Sequence, residues 1–449
     1  MKLLVYQLLG RLEDYQDVVF QVEGVNHGPV KFSSLAISEH FLDEGLASDA
    51  EVKLLTPISV EQPLTVDGIG LDLTYLRKSF MNKLGAVLEE GGRIRWDVVL
   101  IPAMGTYNHP SGWFIYDSTP LAIAAKILLD MWKDLRKFSS YKVGVDVSTG
   151  WNGYIPSMLD ALRASIVLDK LEGGFRNSRI SEAYYAVSEP VLKNMAKKFY
   201  EIHLVDYNVK AFPSIPVKDM NEAARLGNIN IYFPKLTDDE KRSIAEKFKD
   251  GRNLRDLLVE SFVAFNALYY NAPLALCDSN VVRLDSRGVG ELIGNLLNFF
   301  EGRLVPTILD RRVYVPDVDF RAFVNMLIML TIYGFISRRL EDSGLINRAV
   351  DIEKLAEFFE ILYEDLGLPL NYRFLRNEVQ KLVEGGYGDM FMGKQKEKHQ
   401  KLSDKKRNFF AHAGLSIDVV ELCDEDGSRC VRYRDDKKRS IRKWLESPK

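Results

Sequence analysis

With 449 residues, 46% of them apolar, the chain has ample material for two or three domains with real cores. Its formal net charge of −3 gives no global basic field, so any polyanion site must be local. Cys277, Cys423 and Cys430 form no C-x-x-C pair, which argues against a zinc site and against a disulfide framework.

The opening Met1-Lys2-Leu3-Leu4-Val5-Tyr6 is too short an apolar run for a signal peptide and reads as a first strand, over residues 2–8. Further strands are expected at 52–57, 97–103, 142–147, 184–188 and 202–206. Runs such as Val98-Val99-Leu100-Ile101 are apolar without a break, as strands covered on both faces are. Between them the sequence predicts helices over 34–42, from Ser118-Thr119-Pro120 to Leu135, and from Ser157 to Leu171, the last closed by Gly173-Gly174. This alternation points to an α/β domain on an open parallel sheet.

Ligands of such sheets bind beyond the carboxyl ends of the strands. Asp146-Val147-Ser148-Thr149-Gly150-Trp151-Asn152-Gly153-Tyr154 lies there, between a strand and a helix N-terminus, with small residues and hydroxyls suited to phosphate oxygens. The alternative is that Gly150 and Gly153 only make a tight turn. Leu8-Leu9-Gly10-Arg11 offers a glycine and a cation after the first strand, and Met104-Gly105-Thr106-Tyr107-Asn108 is a third candidate loop. Neither G-x-G-x-x-G nor a Walker-type phosphate loop is present.

Residues 207–253 read as a small linking module, with a connector at 212–216, a short strand at 228–233 and a capping box, Thr237-Asp238-Asp239-Glu240, opening a charged helix. From 254 onward the chain is expected to be helical, with helices at 254–270, 291–300, 320–336, 352–366 and 372–383. The longest apolar run, 323–336, holds Asn325 and Gly334 and is too short to span a bilayer, so a soluble, cytoplasmic chain is expected. After the last helix comes a hairpin, 418–423 with 430–433, across which Cys423 and Cys430 face each other; reduced thiols are expected there.

The hairpin follows Arg407-Asn408-Phe409-Phe410-Ala411-His412-Ala413-Gly414. Ser403 and Asp404 can cap a helix before this string and Gly414 can end one. A five-residue step turns a helix by roughly 140° beyond whole turns, so Arg407 and His412 are not a surface pair. Either the helix ends at His412, or both meet something along it, such as a second copy of the chain. Residues 394–407 and 431–443 each contain seven Lys or Arg, two basic runs beside the string in a chain that is slightly acidic elsewhere. No metal-ligand cluster accompanies the string, which favours chemistry that His and Arg can do alone. RNA supplies its own nucleophile, the 2′-hydroxyl; His412 can aid proton transfer, Arg407 can neutralise the phosphate, and Asn408 can orient both.

The string resembles the R-x-x-x-x-H signature of HEPN nucleases, in the form found in CRISPR-associated CARF–HEPN ribonucleases of type III systems. Asp146–Asn152 looks like the second ligand motif of a Rossmann-like CARF domain, with Gly10-Arg11 at the place of the first; Thr149 stands where this group often has His. The resemblance implies a CARF domain over 1–206, the module at 207–253 and a helical HEPN domain over 254–449. It implies a cytoplasmic homodimer or higher oligomer, without membrane or cofactor, that cleaves single-stranded RNA without metal once a cyclic oligoadenylate binds. Cyclic tetra-adenylate is the first choice of activator. Arg407, Asn408 and His412 would be catalytic, and Gly10, Arg11, Gly105, Thr106, Ser148, Thr149, Gly150, Trp151 and Asn152 would hold the activator. Two other functions share these features: a transcription regulator binding DNA through 207–253, and a ring nuclease degrading the cyclic nucleotide at the Ser148–Asn152 loop.

Overall fold

The computed structural model describes the chain except residues 67–69, 87, 89–92, 149–152, 175–176, 190, 192–196, 210–214, 234–236, 248–250, 347–348, 385–401, 426–427 and 449. Near the middle of an eight-stranded sheet lies Lys2–Leu8, with Asp49–Pro57 and Tyr141–Asp146 parallel on its two sides. Ile94–Ile101 and Ile180–Ser188 extend the parallel array by one strand each. Alternate residues of the central strand serve two cores: Leu3 and Val5 pack with Ala36, Phe41 and Phe80, Leu4 and Tyr6 with Leu128, Trp132 and Leu162. Both faces are thus covered by helices, as the unbroken apolar runs require. Pro120–Leu135 begins where Thr119 accepts a hydrogen bond from the Ala122 N–H (3.3 Å) with Pro120 next in the chain.

Beyond Ile180–Ser188 the sheet turns mixed. Tyr200–Asp206 pairs antiparallel, followed by the hairpin Val18–Val22 and Val25–Val30, whose Glu23-Gly24 turn has positive φ at both residues. The stretch read as a loop after the Ile94–Ile101 strand is instead the hairpin Gly105–His109 with Gly112–Asp117. Thr106 faces Ile115 across it, and the hairpin joins a second sheet that includes Thr307–Leu309 and Arg312–Tyr314 from the later half of the chain.

The strand expected at 228–233 is a 3-10 turn, Ile229–Ile231, because the Asn228 side chain accepts from the Asn230 N–H (3.1 Å) and folds the backbone locally. The capping box forms as expected: Thr237 N–H donates to Glu240 (2.8 Å) and Glu240 N–H to the Thr237 hydroxyl (3.3 Å). Five helices follow, Gly251–Tyr269, Val289–Arg303, Phe320–Ser343, Ile352–Asp365 and Pro369–Val383, with a short one, Leu274–Cys277, between the first two. Phe320–Ser343 is long and apolar enough to cross a bilayer, but most of it is buried, against Gly251–Tyr269 on one side and Tyr154–Gly173 on the other. One hydrophobic core therefore runs from the sheet into the helices.

Near the C-terminus, Val420–Glu425 and Ser428–Tyr433 form the expected hairpin, in register Cys423 opposite Cys430. With Cα atoms 4.9 Å apart the two are joined in a disulfide, where reduced thiols were expected; direct cross-strand pairing brings them within bonding reach. A helix that the sequence pattern did not announce, Asp435–Glu446, closes the chain.

Candidate active site

The helix Leu402–Ala411 is anchored by Phe409, fully buried against the rings of Tyr433 and Trp444. His412 comes one residue past the helix and donates its backbone N–H to the Asn408 carbonyl (3.0 Å). Ala413 and Gly414 then turn through positive φ, and the Gly414 N–H returns to the Phe409 carbonyl (2.9 Å). A side chain at Gly414 would meet the Ala272 backbone at 2.9 Å, so both the turn and the close packing call for glycine. Of the two arrangements open to the Arg-x-x-x-x-His spacing, the chain adopts a helix that stops just short of the histidine.

The His412 ring is held from another helix. Its Nδ1 lies 3.0 Å from Oε2 of Glu378 on Pro369–Val383, while the histidine side chain stays 41% exposed. Burial pushes the Glu378 carboxyl up, but hydrogen bonds from Lys381 (2.6 Å) and His412 outweigh it and keep its pKa below the usual value. A carboxylate on Nδ1 fixes the tautomer and leaves Nε2 for proton transfer. Arg407 is exposed and Asn408 half-buried on the same helix. Nothing in the spacing singled out Glu378, 34 residues before His412; only the fold brings the two together.

The basic runs divide. Residues 394–401 lie outside the described part, leaving Lys405, Lys406 and Arg407 on the motif helix. In 431–443 most cations are engaged in structure: Arg442 makes a two-pronged pair with Glu260 (2.7 and 2.8 Å), Lys438 pairs with Asp278 (3.1 Å), Arg432 with Glu421 (2.5 Å) and Lys437 with Asp436 (2.7 Å), and Arg434 donates to the Val420 carbonyl (3.2 Å). That run pins the last helix to the body, and only Arg439 and Lys443 of its seven cations are exposed without such a bond among the described residues.

At the other end of the chain, Gln7 and Asp146 are register neighbours where strand order reverses, between Lys2–Leu8 and Tyr141–Asp146. A pocket of about 230 Å³ opens there, lined by Gly10, Arg11, Tyr15, Lys31, Ser33, Ser148 and Ser188 among others. Its floor is a buried polar network. Asp146 accepts from the Ser33 hydroxyl and from Ser148 N–H and hydroxyl (3.0 and 2.5 Å), and Ser148 in turn accepts from the Ser188 N–H (2.9 Å). Burial raises the Asp146 pKa against the pull of these serines. The Gly10 N–H donates to the Tyr15 hydroxyl (2.9 Å), whose pKa burial drives up to about 12. Arg11 is exposed at the rim. Gly105 and Thr106 are exposed on their hairpin and do not line this pocket; the first strand of that hairpin ends at His109, whose pKa is lowered by burial and then by the charge of Arg11. Thr149, Gly150, Trp151 and Asn152 lie outside the described residues.

Residues 4–190 match the family described as CRISPR system endoribonuclease Csx1, CARF domain, and residues 368–435 the one described as CRISPR system endoribonuclease Csx1, HEPN domain. The chain belongs to the CRISPR-associated CARF–HEPN ribonucleases. No curated protein matches it. The CARF match spans the polar pocket and the HEPN match spans both Glu378 and the Arg407–His412 string. Between the two matched regions of this CARF–HEPN chain lie the helices from Met220–Leu226 to Ile352–Asp365.

Proposed function

We propose that this chain is a metal-independent endoribonuclease of type III CRISPR defence that cuts single-stranded RNA when a cyclic oligoadenylate, cyclic tetra-adenylate as first choice, occupies its CARF pocket. Residues 1–206 hold the activator, 254–449 the nuclease site, and 207–253 link them. The observation that carries this reading is a half-exposed His412 tethered through Nδ1 to Glu378, five residues from an exposed Arg407.

The RNA 2′-oxygen attacks the neighbouring phosphorus while the bond to the 5′-oxygen breaks, leaving a 2′,3′-cyclic phosphate and a 5′-hydroxyl. His412 Nε2 moves the proton, Arg407 neutralises the phosphate as charge builds, and Asn408 orients the two by hydrogen bonds. Removing one proton and delivering another is easier with two histidines, which a two-fold axis supplies. Leu370 and Phe374, 62% and 61% exposed, sit about two turns and one turn before Glu378 on the same helix and suit a second copy of that face. For the activator, the serine network around Asp146 supports a role for Ser148, Gly10 and Arg11; roles for Thr149, Gly150, Trp151 and Asn152, and for Gly105 and Thr106, rest on the resemblance alone.

Unpaired RNA incubated in EDTA, with and without cyclic tetra-adenylate, tests this. The wild type should cut only with activator, and His412→Ala and Arg407→Ala should each lose about 10²-fold or more. Wild-type cleavage by either variant rejects the site. A requirement for a divalent cation rejects the metal-free reaction.

A further inference from the structure

The Gly251–Tyr269 helix ends beside two tyrosines that the reading above leaves without a role. Tyr269 is 48% exposed, yet its ring is fixed: it stacks on Phe265 (centroids 5.6 Å apart, planes 18° apart), and Tyr270 stands edge-on to it at 5.2 Å. The Asn371 amide caps the helix by donating to the carbonyls of Leu268 (2.8 Å) and Tyr269 (3.1 Å). Asn271 follows at φ +57°, held by the Tyr363 hydroxyl, which donates to its Oδ1 (3.0 Å). The result is a rigid aromatic ring with one side open.

A cavity of about 260 Å³ lies over these rings, walled by Phe262, Phe265, Tyr269 and Tyr270. The motif helix touches two of its lining residues. The Tyr270 ring is 5.5 Å from that of Phe410, and Lys406 donates to the carbonyl of Ser447 in the cavity wall. Lys406 and Phe410, one turn apart, flank the exposed Arg407. Lys218 adds a cation to the lining. Two carboxylates also line it, but both are committed: Asp219 caps Met220–Leu226 and Glu446 pairs with Arg442.

We propose that this cavity takes one unpaired RNA base, stacked on Tyr269, next to the phosphate that Arg407 holds. Aromatic faces beside backbone-tracking cations are how single strands are gripped, since every base has a face to stack and no pairing partner to lose. The ligand's identity rests on the ribonuclease reading, but the test does not depend on cleavage. Anisotropy of a short fluorescent unpaired RNA should be measured on the full-length His412→Ala chain with cyclic tetra-adenylate present. Tyr269→Leu, which keeps apolar bulk without a ring, should weaken binding about tenfold, as the loss of one base stack does. Tyr269→Trp should bind as the parent does. Scanning an abasic nucleotide through the RNA should find one position at which Tyr269→Leu no longer matters. Equal affinity of Tyr269→Leu and parent overturns the subsite. So does a fall in subunit association in place of RNA affinity, which makes the tyrosines a contact between copies. Should His412→Ala still cut RNA, the catalytic assignment fails, while the affinity ratio still decides the base subsite.

Discussion

Glu378 is the residue on which the catalytic geometry turns. It is buried, Lys381 and His412 donate to it and hold its pKa down, and it presents the imidazole with one nitrogen free among the described residues. Glu378→Gln keeps the shape but weakens the tether, and should lower kcat by tenfold to a hundredfold, part of the roughly 10²–10⁴ that a positioned acid–base group contributes, with KM for RNA little changed. A changed KM with unchanged kcat would instead mark Glu378 as a binding residue. The same carboxylate links stability to pH. Its folded-state pKa lies below the unfolded value, so on acidification the unfolded chain takes up the proton first. The stabilisation is present above the ordinary Glu range, near pH 4–5, and is lost as pH falls below that range through the lower folded-state pKa. Urea denaturation of wild type and Glu378→Gln should show a gap that is steady near pH 7 and closes below about pH 4. A gap that widens on acidification contradicts the pairing.

Among the elements, the turn after the motif helix and the floor of the pocket carry the most specific demands. Gly414→Ala meets both a positive φ and the Ala272 backbone, and should cost about 1–3 kcal/mol, whereas Gly344→Ala has the same sign of φ with open space around it and should cost less. Equal melting temperatures for the two variants would show that the close approach does not matter. In the pocket, Ser148→Ala removes bonds to Asp146 and Ser188, and should weaken cyclic tetra-adenylate binding measured by calorimetry; unchanged affinity removes Ser148 from the site.

The sequence disclosed elements with a single strong period. Residues 2–8, 52–57 and 97–103 carry near-continuous apolar runs and were readable as buried strands, the last observed as Ile94–Ile101; the helix 352–366 showed its one-sided stripe. It hid elements whose local chemistry mimics something else. Gly24 and Gly28-Pro29 break up the strands of the first hairpin, and Gly105 and Gly112 those of the second. The basic run at 431–443, read as part of a local polyanion surface, concealed the helix Asp435–Glu446, whose Ile441, Trp444 and Leu445 are buried. In the candidate sites, Arg407, His412, Gly10 and Ser148 could be picked out because each belongs to a local string. Glu378, Ser33 and Ser188 could not, since tertiary packing alone brings them to their partners.

For the molecule as a whole, the exposed Leu370 and Phe374 lead to the question of assembly. Phe374→Glu places a charge where a second copy would dock, and should yield monomers by sedimentation together with loss of activator-dependent cleavage. A fully active monomer would exclude a shared catalytic cleft. Activator binding and cleavage are then coupled through whatever joins the sheet to the helices. Here the joint is broad: Phe335 lies against Gly174 at the end of Tyr154–Gly173, and Lys126 and Lys133, on the helix covering the sheet, both reach Glu301 on Val289–Arg303. With its core shared across that boundary, the chain has no seam at which to come apart. Scanning calorimetry should record a single endotherm whose midpoint rises as one when the activator is added. Fragments cut near residue 253 should each bind hydrophobic dye through the face they have lost, so that neither half survives as a free-standing part.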